Sequence, residues 1–475
     1  MIKTVVSFVL ASILLFTASS AKAQSGWTLQ KCIDHALENN IMIRQGKLAV
    51  ADKHLSYLQS KEAFLPSVSG FANYNFSFGR NINPVNNTYV QQNVQSSQFG
   101  ITTQLTVFNG LHNVNTYKLS QINEAVSLKD LEVISNNISL QVATQFLQIL
   151  FNEETIKTVT SRIASTEKQL ETANILFNSG NSNQSSVFEL EAKLASDNLD
   201  LVNARNNLRL SLLALANLLQ EPFDDNFKIE SPQISIPEEV IVEGSAAIYN
   251  KALRVMPEIE LAILQHTASK MNESVFKAGY YPSLSVNANL SSLFSNNFKD
   301  FTNPKVVLVP IGYVQNSNEV VLSPSYTYDG LRTIPFSNQV NNNLGKSIGF
   351  NLNVPIYSNG KVRTAVKRAE IQSAQQQLNI RKAENDLYTT VATAVANYTG
   401  ARSKYMALSL AAESQKKNFD FNSLRFEAGA LSPSDLVISL KNYEVAEANL
   451  LQGKYDLVFR KVLLDFYRGK PLVLN

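Results

Sequence analysis

Cysteine is almost missing from this chain. Among 475 residues there is one, Cys32, so no disulfide can form within the molecule. Beyond the N-terminus, no stretch holds 18 consecutive apolar residues, so no membrane-spanning helix is expected. Any entry into a bilayer must then be made by the strands of a closed barrel. Charge of one sign is missing too, with 42 Lys and Arg against 39 Asp and Glu. That argues against nucleic acid as a partner, which calls for a basic stripe. The four histidines, His35, His54, His112 and His266, are scattered. His35-Ala36-Leu37-Glu38 is a lone H-x-x-E, far short of a metal site, and reads as solvated surface. There is no paired Cys and His, no G-x-S-x-G and no phosphate loop. The five methionines are not clustered and mark no route for a soft metal. No catalytic, cofactor-binding or metal-binding residue is therefore assigned, and the chain is not read as an enzyme.

What is present begins with a leader. Lys3, the apolar run Val5 to Phe16 and the A-x-A site Ala21-Lys22-Ala23 predict a signal peptide over residues 1–23. The apolar run is too short to span a membrane. No Cys sits just after the cleavage site, so no N-terminal lipid is expected. Loss of Lys3 and Lys22 takes the formal charge from +3 to +1.

Proline and glycine are both absent from Leu111 to Asn178, which reads as one helix of 68 residues. At ~1.5 Å per residue that is roughly 100 Å, several times the ordinary globular helix of ~8–20 residues. An alternating segment, Phe99 to Val107, feeds it through a turn at Phe108-Asn109-Gly110. The pattern returns where Val354-Pro355-Ile356-Tyr357-Ser358-Asn359-Gly360 opens a second run to Glu427.

The chain contains itself twice. At an offset of 216, Ala36-Leu37 falls on Ala252-Leu253, Pro66-Ser67 on Pro282-Ser283 and Ala72-Asn73 on Ala288-Asn289. After the first strand the offset is 249: Phe108 falls on Tyr357, Val142 on Val391, Gly180 on Gly429 and Pro222 on Pro471. The difference is one 33-residue insertion between the two strands of the second half. A register held this long means duplication. The first repeat is placed at 24–220, with strands at 67–78 and 98–107, a long helix at 111–178 and a return helix at 185–220. A linker follows at 221–245. The second repeat is placed at 246–471, with strands at 283–294 and 347–357, a long helix at 361–427 and a return helix at 435–468.

The strands alternate with period two. Val68, Gly70, Ala72, Tyr74, Phe76 and Phe78 oppose Ser67, Ser69, Asn73, Asn75 and Ser77, with Phe71 the exception. Phe99, Ile101, Leu105 and Val107 oppose Gln98, Thr102, Gln104 and Thr106. Leu284, Val286, Ala288 and Leu290 oppose Ser283, Ser285, Asn287 and Asn289. Ile348, Phe350, Leu352, Val354 and Ile356 oppose Ser347, Asn351 and Asn353. One apolar face and one neutral wet face over ~10 residues is the pattern of a transmembrane barrel strand. A soluble sandwich with one buried face competes for any single strand. It fits poorly with two strand pairs, each flanked by long helices. Four strands cannot enclose a lumen, which takes about eight, so several copies must contribute. Three copies give twelve strands.

The return helices carry heptads. Val187, Leu194, Leu201, Leu208 and Leu215 are spaced by seven, as are Leu436, Tyr443, Leu450, Leu457 and Leu464. The intervening positions of the first, Leu190, Asp197, Ala204, Ser211 and Leu218, are mixed, with small and polar residues among them. A dimeric coiled coil wants these apolar throughout, so helices in a cylinder, each touching two neighbours and with one face wet, fit better; an ordinary helical bundle core is the alternative.

Strand pairs, very long helices and duplication together resemble the TolC family of outer-membrane efflux proteins, over about Trp27 to Pro471. The entry helix Trp27 to Asn40, the motif Phe64-Leu65-Pro66-Ser67 with its echo Tyr280-Tyr281-Pro282-Ser283, the two strand-to-helix turns and the tip Arg425 to Ser432 carry the likeness. The resemblance implies a mixed α and β homotrimer, with a 12-stranded β-barrel in outer-membrane lipid continued by a periplasmic α-helical barrel. It implies a passive exit duct of a tripartite efflux or type I secretion system, docked to a periplasmic adaptor and an inner-membrane transporter. A coiled-coil scaffold or adhesin without transport is the competing class; it explains the helices but not the strands.

The same resemblance singles out the helix tips as docking sites: Gly180, Asn181 and Ser182 in the first repeat, and Gly429, Ala430, Leu431 and Ser432 in the second. Ser185 or Ser186, and Ser434 or Asp435, are expected as N-caps of the return helices. The family carries an Asp six residues after the tip Gly, lining the entrance constriction, and Asp435 matches it. The family's second acid is replaced by Ile438, while the first repeat has Ser186 and then Glu189. Three copies of Asp435 would form an acidic ring favouring cations. A capping role accounts for Asp435 equally well. The stretch Leu293 to Lys346, 54 residues against 19 for Gly79 to Ser97, is expected to cap or constrict the outer mouth, with Val306 to Val309 and Val320 to Leu322 as extra strand pieces.

If the apolar strand faces meet lipid, Phe350→Arg costs up to ~2–4 kcal/mol near the bilayer midplane, while Asn351→Arg is tolerated and changes conductance. Detergent refolding titrations and planar-bilayer recordings of the two variants check this; equal tolerance would remove the strands from the membrane.

Overall fold

In a computed structural model of the chain, the described residues are 26–82, 88–91, 93–180, 183–224, 227–232, 243–300, 303–328, 332–428 and 430–473. The leader expected over residues 1–23 and part of the 221–245 linker lie outside them. The chain divides into two compact units, each drawing on both repeats. One comprises Met1–His54, Ile122–Thr267 and Ala374–Asn475; the other comprises Leu55–Gln121 and Ala268–Ser373.

The first repeat runs α1 (Leu29–Asn39), α2 (Ile41–Glu62), β1 (Ser67–Ser77), a small β2–β3 hairpin (Arg80–Ile82 and Tyr89–Gln91), β4 (Val94–Asn109), α3 (His112–Asn178) and α4 (Gln184–Leu219). The second runs α5 (Ser245–Val255), α6 (Pro257–Lys277), β5 (Ser283–Ser295), β6 (Lys299–Asp300), β7 (Pro304–Tyr313), β8 (Val320–Tyr328), β9 (Arg332–Thr333), α7 (Phe336–Asn342), β10 (Gly345–Asn353), α8 (Lys361–Glu427) and α9 (Pro433–Tyr467).

Duplication is visible in the packing of the helical unit. One core gathers Cys32 and Ala36 of α1, Val142 and Ile149 of α3, and Leu215 of α4. The other gathers Ile248, Ala252, Val391, Tyr398 and Leu464, which are the same five positions shifted by 216 or 249. Each core thus clamps an entry helix, a long helix and a return helix at one level. Cys32 is fully buried, and burial pushes its thiol up to about 12, so it behaves as an inert core side chain. His35, read as solvated surface, is instead half-buried: it meets the Trp27 ring edge-on and sits 2.9 Å from Glu221.

The second unit holds a four-stranded antiparallel sheet in the order β1-β4-β5-β10. The register puts Val68, Gly70, Ala72, Tyr74 and Phe76 on the face of Ile101, Leu105, Val286, Leu290, Ile348, Phe350 and Leu352. The other face holds Ser, Thr, Asn and Gln almost throughout. Phe71, the exception, stands opposite Gly100 of β4. Two expectations fail locally. A β-bulge between Thr106 and Phe108 takes Val107 out of the apolar row, and Phe108 takes its place opposite Leu284. The last strand ends at Asn353 rather than Tyr357, because Pro355 has no N–H for a ladder. At the β4–α3 turn, Gly110 has φ +64°, and a Cβ there would lie 2.4 Å from the Ala278 carbonyl oxygen, so no other residue fits.

β10 begins at Gly345 opposite Ser291, so β5 runs four residues past it, from Ser292 to Ser295. Helix α7 covers this gap. Phe336 seats against Phe99 and Phe294 on the apolar face of the sheet. The Gln339 side chain, almost fully buried, accepts from the Ser295 N–H (2.9 Å) and donates to the Ser295 carbonyl (3.0 Å). Asn343 Nδ2 donates to the Leu293 carbonyl at 2.7 Å. Side-chain amides thus take the place of a missing strand. Gln339→Leu should leave the Ser295 N–H buried without a partner, while its carbonyl keeps the Phe298 N–H at 3.2 Å, at a cost of ~1–3 kcal/mol. The melting temperature of detergent-solubilised protein should fall, followed by circular dichroism, whereas a mere spacer role for α7 predicts no change.

Candidate functional site

The tips are built by helix-end chemistry. At the first, α3 ends at Asn178 and Gly180 takes φ +76°, the left-handed geometry glycine accepts without strain. Its N–H donates to the Phe177 carbonyl at 3.0 Å. Asn183 then caps α4, accepting from the Ser186 N–H at 3.1 Å and from the Ser186 hydroxyl at 2.8 Å. The cap is therefore Asn183, not Ser185 or Ser186; Ser186 is buried as the cap's partner. Asn181 and Ser182 lie outside the described residues. Glu189 is exposed on the second turn of α4.

At the second tip, the Ala430 N–H donates to the Arg425 carbonyl at 2.8 Å, the long bond of a Schellman ending. Gly429 itself lies outside the described residues. Ser432 caps α9: its hydroxyl accepts from the Asp435 N–H at 3.2 Å and donates to the Asp435 carboxylate at 2.7 Å. Pro433 stands at the first helical position, where no N–H is needed. So neither Ser434 nor Asp435 is the cap. Asp435 is the cap's reciprocal partner in the first turn, where the helix dipole also favours an anion. Its side chain is exposed, as are those of Ala430 and Ser432, and Leu431 is half-buried.

One group of residues went unread in the sequence because it hides in the companion heptad row. Leu190, Asp197, Ala204 and Ser211 are buried, whereas Leu194, Leu201 and Leu208 of the leucine row beside them are only half-buried. Small side chains let neighbouring helices approach closely, and the polar ones find partners. Asp197 is fully buried. It lies 3.0 Å from Arg162 Nε of α3 and 2.6 Å from Lys193 Nζ, and it accepts from the Thr166 hydroxyl at 2.8 Å. Lys193 also reaches Glu444 of α9 at 2.7 Å, and Arg162 binds Asp200. Burial pushes the Glu444 carboxyl up, against the pull of Lys193 and Arg162. Losing one partner of a buried pair costs about 3–5 kcal/mol, whereas an exposed pair on one helix is worth about 0.3–0.5. This cluster, and not the surface Lys–Glu pairs, ties the hairpin of the first tip to the return helix of the second. Asp at a heptad core position is the signal that would have found it.

Among the described residues, no three or more His, Cys, Asp or Glu side chains are placed to hold a metal ion, and no helix is long and apolar enough to cross a membrane. The apolar face of the sheet is exposed, with Ile348 at 73 % and Phe350 at 75 %. The outer strands β1 and β10 each leave one edge without a partner in the sheet.

Solved structures share this architecture. The outer membrane protein VceC of Vibrio cholerae superposes with a TM-score of 0.73 at 14 % identity, covering 94 % of this chain and 97 % of that one. The CmeC outer membrane channel of Campylobacter jejuni gives 0.72 at 17 %, covering 94 % and 87 %. At such identities the likeness establishes the fold. By sequence, the chain is 21 % identical to the outer membrane protein TolC of Vibrio cholerae over 320 residues, 67 % of this chain and 64 % of that relative. The matched part is thus just under two thirds of that relative's length. The family model for outer membrane efflux protein matches residues 32–220 and again 248–469, one match in each repeat. The chain belongs to the outer membrane efflux protein family, and is a protein of the outer membrane that extends into the periplasm.

Proposed function

We propose that three copies of this chain join their sheets edge to edge into a twelve-stranded barrel, and that the trimer is the passive exit duct of a tripartite efflux or type I secretion system. The open sheet carries this reading. Its apolar face calls for lipid, and in lipid the bare edges of β1 and β10 must be paired. Four strands cannot surround a lumen, so β1 of one copy pairs with β10 of the next. The Ser, Thr, Asn and Gln face then lines the channel without charge. A scaffold or adhesin has no use for an exposed apolar face backed by a neutral one. Substrates are delivered by an inner-membrane transporter, which supplies the energy, through a periplasmic adaptor.

The tips are the periplasmic end. Gly180 to Ser182 and Gly429 to Ser432 dock the adaptor, and Asp435, with Glu189, faces the entrance. Three exposed Asp435 carboxylates around a narrow mouth favour cations. The hydroxyl of Ser432 separates this role from capping, because an amide oxygen at position 435 accepts from it as well as a carboxylate does. Asp435→Asn should leave the trimer's melting unchanged and lower cation selectivity and block by trivalent cations in planar bilayers. Unchanged selectivity would reduce Asp435 to a helix-cap partner.

Leu431 is the one large apolar side chain between position 429 and α9. Leu431→Asp should abolish cross-linking to the adaptor while the heat-resistant trimer persists on gels. Cross-linking at the wild-type level would move the docking site elsewhere.

A further inference from the structure

The 33-residue insertion of the second repeat makes room for the β7–β8 hairpin, where the first repeat has, among its described residues, only the short β2–β3 hairpin between its two strands. Its register sets Val306 opposite Tyr326, Leu308 opposite Pro324 and Pro310 opposite Leu322, so these six form one uncharged face. Val306, Leu308, Leu322 and Tyr326 are between 48 % and 64 % exposed. A two-stranded hairpin is marginal by itself in water, so this face needs a cover.

Two observations select the cover. First, Pro310 and Pro324 each remove an N–H from their strand, so neither strand offers an unbroken row of donors to an added strand. A partner must come to the face. Second, the hairpin is set apart from the lipid-facing part of the sheet by a polar neck. Asn296, Asn297, Lys299 and Asp300 lead out and Arg332 and Thr333 lead back, with Lys299 bonded to the Thr333 hydroxyl at 2.7 Å. An apolar face on the watery side of such a neck calls for protein rather than acyl chains. The base of the neck is also held in place, since α7 pins the end of β5 through Gln339 and runs directly into β10. β10 is the bare edge that meets the next copy, so each hairpin rises beside a junction between copies.

Resting on the trimeric reading above, we propose that the β7–β8 hairpins of the three copies pack their apolar faces against one another and close over the outer mouth of the barrel. The insertion is then a gate contributed equally by each copy, held by hydrophobic contact alone and opened when the hairpins part.

The test uses the full-length trimer in outer-membrane vesicles, with Cys32→Ser to leave no native thiol. Leu308→Cys with a short bismaleimide should link copies into dimers and trimers on denaturing gels, whereas Lys299→Cys in the neck should not. Replacing Pro304–Tyr328 by a short Gly-Ser link, with α7 kept, should preserve the heat-resistant trimer and raise its conductance by about twofold or more. Absent linkage at Leu308→Cys in intact trimers, or quenching of a fluorophore there by brominated lipid, overturns the proposal. A wild-type protein that is not trimeric would overturn the duct reading first, and the gate with it.

Discussion

An unpaired strand edge cannot face hydrocarbon. Each bare N–H or C=O there costs several kcal/mol, and no water is present to relieve it. This single constraint organises the strand-bearing unit. It is the ground for proposing that a four-stranded sheet with one apolar face is completed by other copies. It is also why β5, where it outruns β10, is met by the side-chain amides of Gln339 and Asn343. The amide group is suited to the task because it carries a donor and an acceptor, as a backbone peptide does.

The helical unit answers a different demand. A helix of 67 residues cannot be stabilised by propensity alone and must be supported along its length. The two duplicated cores supply that support near the entry helices. Nearer the tips, small side chains and the Arg162–Asp197–Lys193–Glu444 cluster take over. Apolar packing is thinner there, and a buried ion cluster fixes register between helices more narrowly than sliding apolar surfaces do. The tips are thereby presented at the ends of supported helices, with hydrogen-bonded caps at Asn183 and Ser432.

Much of this was legible in the residues. Duplication, the strand faces and the long helices follow from periodicity, because a side chain's direction in a regular element is fixed by its position in the repeat. The errors lie where regularity stops. Val107 was misplaced because a bulge has no signature in alternation. The caps were misplaced by two or three residues because Asn, Ser and Asp crowd both tips, and any of them suits an N-cap. The cluster at Asp197 went unread because an Asp in a heptad row shows only as polar, whereas Arg162 and Lys193 make it an interior residue.

The sequence by itself determined the order of elements, the two faces of the sheet and the positions of the tips, since each depends on local pattern or internal repetition. Tertiary structure decided what lies beside what. It brought Gln339 to the open end of β5, 44 residues away. It brought Glu444 to Lys193 across 251 residues. It left the Val306 to Tyr326 face of the insertion without a cover among the described residues. Pairings of this kind depend on contacts between distant segments, and no local pattern of residues records them.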